Sequence, residues 1–260
     1  MTDHHAPDPA REHNPHDPQL TDQGRTTRSA RQRDPQDRAV IRKALGVALA
    51  TGLYGITAGA LAVAAGLSVL QAMALSLLLF SGGSQFAFFG VIGAGGSPVA
   101  AVASSTLLGV RNGFYGLQVS QLLGVHGWRR AVAAHFTIDE STAVAVTQAT
   151  PRLQRIGFWV TGVGIFVLWN LTTFVGAIAG EAMGDPRTYG LDAAAAAAFV
   201  GLLWPRLRGR DPLAVAALAV IITITTAPFV PAGVPVLVAV LAALAVGLPT
   251  RGRRSEEATS

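Results

Sequence analysis

Residues 107–117 read LLGVRNGFYGL, in the middle of Pro98–Leu123, an apolar run long enough to cross a membrane. A guanidinium at the centre of a membrane helix costs about 2.5–3.5 kcal/mol on insertion scales, so Arg111 must face a counter-charge, a solute or a water-filled cavity. Working outward, residues 44–66, 71–93 and 157–180 contain no charge and each meets the roughly 20 residues needed to cross a hydrocarbon core. Residues 131–149, AVAAHFTIDESTAVAVTQA, are apolar at both ends with His135, Asp139 and Glu140 between, and 191–205, 213–229 and 234–248 are short. Short spans suit tilted or discontinuous helices. The pattern predicts an all-α polytopic integral membrane protein with about six to eight transmembrane helices, some discontinuous or re-entrant. There is no tandem sequence repeat, and an inverted structural repeat is compatible with that.

Composition supports the same class. Half of the 260 residues are hydrophobic and only 13% are charged, against about 25% in a soluble domain. The net charge of +5 rests on arginines and one lysine, Lys43. Outside the N-terminal segment the arginines other than Arg111 flank apolar spans as orientation anchors, which argues against a nucleic-acid partner. Without cysteine there is no disulfide, thiolate metal site or cysteine nucleophile. Residues 1–43 are rich in Pro, Asp, His and Arg and poor in large apolar side chains, so they read as a disordered cytoplasmic tail without the apolar region of a signal peptide. His4, His5, His13 and His16 are too irregularly spaced for a metal site. The transmembrane permease domain is expected over 44–249, and a cytoplasmic C-terminal tail over 250–260.

Basic loops prefer the cytoplasm. With eight crossings, Arg38, Arg42 and Lys43, the PRLQR of 151–155, the PRLRGR of 205–210 and the RGRR of 251–254 all lie inside, and the loop 181–192 outside. Only GVHGWRR, 124–130, falls on the wrong side. Two re-entrant segments, one at 131–149 and one among the first four windows, would bring it inside. Either topology keeps both termini cytoplasmic.

Three glycine-rich stretches read as helix interruptions: SGGSQ at 81–85, GAGG at 93–96 and VRNGFYG at 110–116. A break at Gly82 and Gly83 would expose backbone N–H groups at the start of a half-helix, a setting for a carboxylate to which Ser84 and Gln85 add neutral donors. The competing use of these small residues is close helix packing. Arg111 pairs either with Asp139 or Glu140, the only acids in the interior of an apolar window, or with the carboxylate of a solute. Adjacent carboxylates in partly apolar surroundings do not both ionise easily, so HFTIDE at 135–140 is a candidate proton-coupling site, with His135 four residues before Asp139 on one helical face. Solvated carboxylates at an interfacial turn would be the plainer alternative. Trp169, Asn170 and Tyr54 read as packing or interhelical hydrogen bonds.

GLYGITAGALAVAAGLS (52–68), LLLFSGGSQFAFFGVIGAGGSP (77–98), STLLGVRNGFYGLQVS (105–120) and AHFTIDES (134–141), in that order and at those spacings, resemble the AzlC/YgaZ family of branched-chain amino acid exporters. The resemblance covers roughly 46–149. It implies an inner-membrane large subunit of a bacterial exporter that works with a small AzlD/YgaH-type membrane subunit. The family's positions map onto Gln85 and Phe86, onto Arg111 and Tyr115, and onto His135, Asp139 and Glu140. This chain departs from the family at Gly109 and Asn112, where an asparagine two places before the arginine and a histidine after it are usual.

The expected function is therefore export of branched-chain or other small neutral amino acids, driven by the proton gradient. Gly82, Gly83, Ser84, Gln85, Arg111, Asn112 and Tyr115 are the expected substrate-binding residues. His135, Asp139 and Glu140 are the expected proton-coupling residues. No cofactor or metal is expected, and the P-loop pattern GxxxxGK[ST] does not occur. The rivals are a membrane-embedded enzyme using Asp139, Glu140 and His135 as acid and base, and an assembly subunit without its own solute path.

Overall fold

The computed structural model describes residues 18–184, 200, 201, 203, 204, 207–231, 234, 235 and 237–239, with side chains from residue 35 onward. The described residues form helices and turns and contain no strand. Two segments are long and apolar enough to cross a membrane, Pro35–Ala64 and Pro151–Ala182.

The first is built from α1 (Pro18–Leu53) and α2 (Gly55–Ala64), which meet at Tyr54 with little change of direction because Tyr54 itself keeps helical dihedrals. Helix α1 starts at Pro18, within the polar segment where composition suggested disorder. The second long segment is a single helix, Pro151–Ala182, here α8.

These two rods run parallel and side by side. Val40 lies beside Gly157, Ala48 beside Gly164, Gly52 beside Leu168, Gly59 beside Thr173 and Ala177, and Ala60 beside Gly180. Small residues permit the approach: a Cβ at Gly59 would collide with the Thr173 carbonyl, and one at Gly176 with the Ile56 carbonyl. Thr172 Oγ1 adds a 2.6 Å bond to the Gly52 carbonyl. The shared basic end of the rods carries Arg38, Arg42 and Lys43 on α1 and Arg152 and Arg155 on α8, with Arg152 held to Asp37 by two hydrogen bonds.

The intervening elements are α3 (Val69–Leu78), α4 (Gly82–Gly93), α5 (Pro98–Leu123), α6 (Trp128–His135) and α7 (Asp139–Val146). Helix α3 starts after the end of α2 remote from the basic end, with Ser68 and Gln71 forming a reciprocal cap. Helix α4 returns to that end, where Gly93 packs against Ala65. The uncharged window 71–93 is thus a hairpin of two half-length helices, about 15 and 18 Å long at 1.5 Å per residue. It enters and leaves on one side.

Helix α5 crosses from there to the basic end, where a Cβ on its C-cap Gly124 would lie 3.2 Å from Arg155 Nη2. The 26-residue helix is continuous through VRNGFYG, which corrects the expectation of a break there. Gly113 and Gly116 each weaken a helix by about 1 kcal/mol relative to Ala, less than the several kcal/mol lost by freeing a backbone polar group in hydrocarbon. The interruptions expected at 81–85 and 93–96 are present, as the α3–α4 break and the α4–α5 turn.

Helices α6 and α7 form the second half-length hairpin, each arm about 12 Å long. It enters from the basic end, where Val119, Leu123, Ala133, Ala145 and Phe158 share one cluster and Lys43 Nζ donates to Thr147 Oγ1 at 3.2 Å. GVHGWRR and PRLQR therefore lie at the same end of the molecule, and the basic loop that resisted an eight-crossing count is accounted for. Full-length helix then half-length hairpin occurs twice, in opposite directions: α1–α2 with α3–α4, and α5 with α6–α7. Both long members carry G-x-Y-G just past their middles, GLYG at 52–55 and GFYG at 113–116.

Beyond α8, α9 (Arg210–Thr226) is apolar and has no buried residue. Most of the expected windows 191–205 and 234–248 lies outside the described residues, as do the two terminal tails apart from the N-terminal part of α1.

Candidate functional site

The tips of the opposed hairpins meet halfway along α8. At the α3–α4 tip, Phe80 stacks edge-on against Phe166 with ring centroids 5.1 Å apart. At the α6–α7 tip, His135 and Phe136 also contact Phe80 and Phe166. Four aromatic rings from three elements lock the tips together.

Each tip satisfies its own broken backbone, as hydrocarbon demands. Gln85 is fully buried; its Nε2 donates to the Leu79 carbonyl at 2.7 Å and its Oε1 accepts from Trp169 Nε1 at 3.1 Å. At the other tip Thr137 Oγ1 donates to the Ala133 carbonyl at 2.8 Å, and Ser141 Oγ accepts from the Ile138 N–H at 3.1 Å and donates to the Phe136 carbonyl at 2.7 Å. These bonds start α4 and α7 at mid-depth. The positive ends of two helix dipoles thus lie in the interior.

Between them stands Arg111, from the middle of α5. Its Nη1 lies 3.0 Å from Asp139 Oδ2, the side chains retaining 30% and 20% of their exposure. Its Nη2 faces the start of α4, where a Cβ on Gly83 would be only 3.0 Å away. A cation beside a positive helix end is unfavourable unless an anion shares the space, and Asp139 supplies part of that charge. Arg111 Nε is buried with no hydrogen-bond partner, and so is Ser84 Oγ, which faces α5 at Gly109. No side chain caps α4.

The structure brings together Gly82, Gly83, Ser84, Arg111 and Asp139, with Glu140 following in the first turn of α7. Gln85 lies within the same constellation but braces the tip with both ends of its amide. Asn112 is half-buried, its Oδ1 without a partner, on the neighbouring face of α5 because successive helical residues diverge. Tyr115 is one turn from Arg111 toward the basic end and half-buried. His135 corrects an expectation: α6 ends at it and α7 begins at Asp139, so the two do not share a helical face. The chain turns at 136–138 because Thr137 and Ser141 divert backbone bonds. Its ring sits among Phe80, Phe136 and Phe166.

Sequence reasoning treated Trp169 as packing, and it is the residue that fixes Gln85. A lone tryptophan in an apolar span carries no signal that would have singled it out. Tyr54 packs edge-on against Phe86, and Asn170 donates to its own helix at the Phe166 carbonyl. Among the described residues no group of three or more His, Asp or Glu side chains is placed to hold a metal ion.

The model of the AzlC protein family matches residues 46–183, more than half of the chain. The chain belongs to the AzlC family. The match takes in both hairpins, α5 and all of α8, so every residue of the central constellation lies within the AzlC region. AzlC is a transport-associated family of membrane proteins and not an enzyme family. No curated protein and no solved structure matches the chain.

Proposed function

We propose that this AzlC protein is the large subunit of an exporter of branched-chain or other small neutral amino acids. It uses the proton gradient and acts with a small AzlD/YgaH-type membrane subunit in the bacterial inner membrane. The observation that carries the proposal is the Arg111–Asp139 pair at the meeting point of two opposed half-helix hairpins. Discontinuous helices that end at mid-depth, in two halves of opposite direction, are how many secondary transporters build a solute site. The solute carboxylate would meet Arg111 and the uncapped start of α4. Aliphatic side chains would suit the aromatic and apolar surroundings at the tips. Asn112 and Tyr115 would line the approach along α5, and His135, Asp139 and Glu140 would serve proton coupling.

All the basic residues of the loops next to α1, α6 and α8 share one end, which the positive-inside rule assigns to the cytoplasm. The proposed topology has both termini cytoplasmic, as the basic segments 38–43 and 251–254 favour, with Glu181 at the other face.

Counterflow of radiolabelled leucine, isoleucine and valine tests the proposal, in vesicles with and without the small subunit and with and without a pH gradient. Exchange that needs this chain and responds to the gradient is expected. Failure to move any amino acid under all four conditions would sink it.

A further inference from the structure

Helix α6 is barely covered by protein. Of its eight residues only Ala133 is buried, in the cluster it shares with Val119, Leu123, Ala145 and Phe158. Its hairpin partner α7, of equal length, buries Ser141, Thr142, Val144 and Ala145. Away from Ala133, Trp128 is 74% and Val132 37% exposed, with Ala131 exposed between them. Trp128 and Val132 are four residues apart and so share a face. In a bilayer such a face is covered by acyl chains, and an exposed tryptophan at its end marks the level of the headgroups.

The start of α6 also carries charge that the protein does not neutralise. Arg129 and Arg130 follow Trp128 in the first turn, both exposed, and the Arg129 guanidinium lies 5.8 Å from the centre of the Trp128 ring. This cation–π contact holds the guanidinium at headgroup level and leaves its N–H edge open to an acceptor. No acidic residue occurs between Asp37 and Asp139. Asp37 gives both oxygens to Arg152, Asp139 and Glu140 start α7 at mid-depth, and Glu181 is at the far end of α8. Among the described residues neither Arg129 nor Arg130 has a carboxylate partner. Two such guanidiniums at the head of an uncovered apolar face fit one ligand chemistry, an anion with hydrocarbon attached below it.

We propose that the first turn of α6 is a headgroup clamp for an anionic phospholipid of the leaflet at the basic end. The lipid phosphate takes Arg129 and Arg130, and an acyl chain covers Ala131 and Val132. Inorganic phosphate could satisfy the arginines but would leave the apolar face bare; the lipid does both. It completes the packing of α6, whose last residue, His135, reaches the central tip beside Phe80 and Phe166. The clamp is independent of the solute and of its coupling to protons.

The test is the melting temperature of the full-length protein in mild-detergent micelles supplemented with phosphatidylcholine, phosphatidylglycerol or inorganic phosphate. Phosphatidylglycerol is expected to raise melting by about 4–8 °C over phosphatidylcholine with the same chains, and inorganic phosphate, even in large excess, is expected not to. Arg129→Gln/Arg130→Gln should lose most of that rise while melting normally in phosphatidylcholine. Arg208→Gln/Arg210→Gln, which removes the same charge from exposed positions before α9, should keep it. Equal melting in the two lipids overturns the clamp and leaves the face to a protein neighbour. An equal rise with inorganic phosphate, a rise kept by Arg129→Gln/Arg130→Gln, or equal loss in both double variants overturns it as well. Transport is not read, so each of these outcomes leaves the export proposal standing. The lipid series needs no variant, so it decides even if a double variant does not fold.

Discussion

Arg111 Nη1 and Asp139 Oδ2 lie 3.0 Å apart, tying the middle of the full-length helix α5 to the first residue of the half-length helix α7. Removing one partner of a buried pair leaves a charge uncompensated and costs about 3–5 kcal/mol. Both side chains keep some exposure, so about 2 kcal/mol is expected for Arg111→Met or Asp139→Asn. The double variant should be more stable than the sum of the two predicts, by about 1 kcal/mol or more. Melting of the four proteins in detergent closes the cycle; strict additivity would mean that the pair does not hold α7 in place. Transport by Arg111→Lys should also fall, because an ammonium cannot present the planar Nε–Nη2 edge. Wild-type counterflow in both Arg111→Lys and Arg111→Met would remove Arg111 from the solute site.

Gly83 separates the role of space from the role of charge. A Cβ there would stand 3.0 Å from Arg111 Nη2, so Gly83→Ala should displace the guanidinium and reduce transport without unfolding the protein. On α5, Gly113 has nothing within 4 Å of the corresponding position. Gly113→Ala should therefore stabilise the helix by roughly 0.5–1 kcal/mol and leave transport near wild type. Equal transport by the two variants would show that the approach of α4 to Arg111 is irrelevant to function.

Gln85 and Trp169 test the tip. Gln85→Leu leaves the Leu79 carbonyl and the Trp169 indole N–H without their bonds, and unsatisfied buried polar groups cost about 1–3 kcal/mol each. Trp169→Phe leaves only Gln85 Oε1 unsatisfied and should cost less. Both should lower the melting temperature, Gln85→Leu further. The reverse order would assign Gln85 to the solute rather than to the brace.

Much of the constellation is legible in the sequence because a membrane leaves polar residues few places to go. Arg111, the SGGSQ break and the polar HFTIDE stretch stand out as costly exceptions, and the same cost forces them toward one another. The α3–α4 hairpin is harder to see, since 71–93 is uncharged and long enough to cross, and only Gly82 and Gly83 mark the turn. VRNGFYG misleads in the other direction: its glycines resemble a break, yet backbone bonding in hydrocarbon keeps α5 whole. His135 and Asp139 have helical spacing but belong to different helices, because Thr137 and Ser141 consume the bonds that would have joined them. The two halves share little beyond G-x-Y-G, too short a match to find until their opposite directions are known.

The hairpins make a topological prediction that separates them from eight full crossings. If 131–149 crossed the membrane, the loops before α6 and before α8 would lie on opposite sides. Here they share the basic end, with Arg155 against Gly124 and Lys43 bonded to Thr147. The chain contains no cysteine, so single cysteines can be placed without background. His126→Cys and Gln154→Cys should react with a membrane-impermeant maleimide only in inside-out vesicles, and Ser97→Cys, before α5, only in right-side-out vesicles. His126→Cys labelled from the same side as Ser97→Cys would mean that α5 does not cross. His126→Cys and Gln154→Cys labelled from opposite sides would make α6–α7 a full span, and the meeting of two opposed tips at Arg111 would be lost with it.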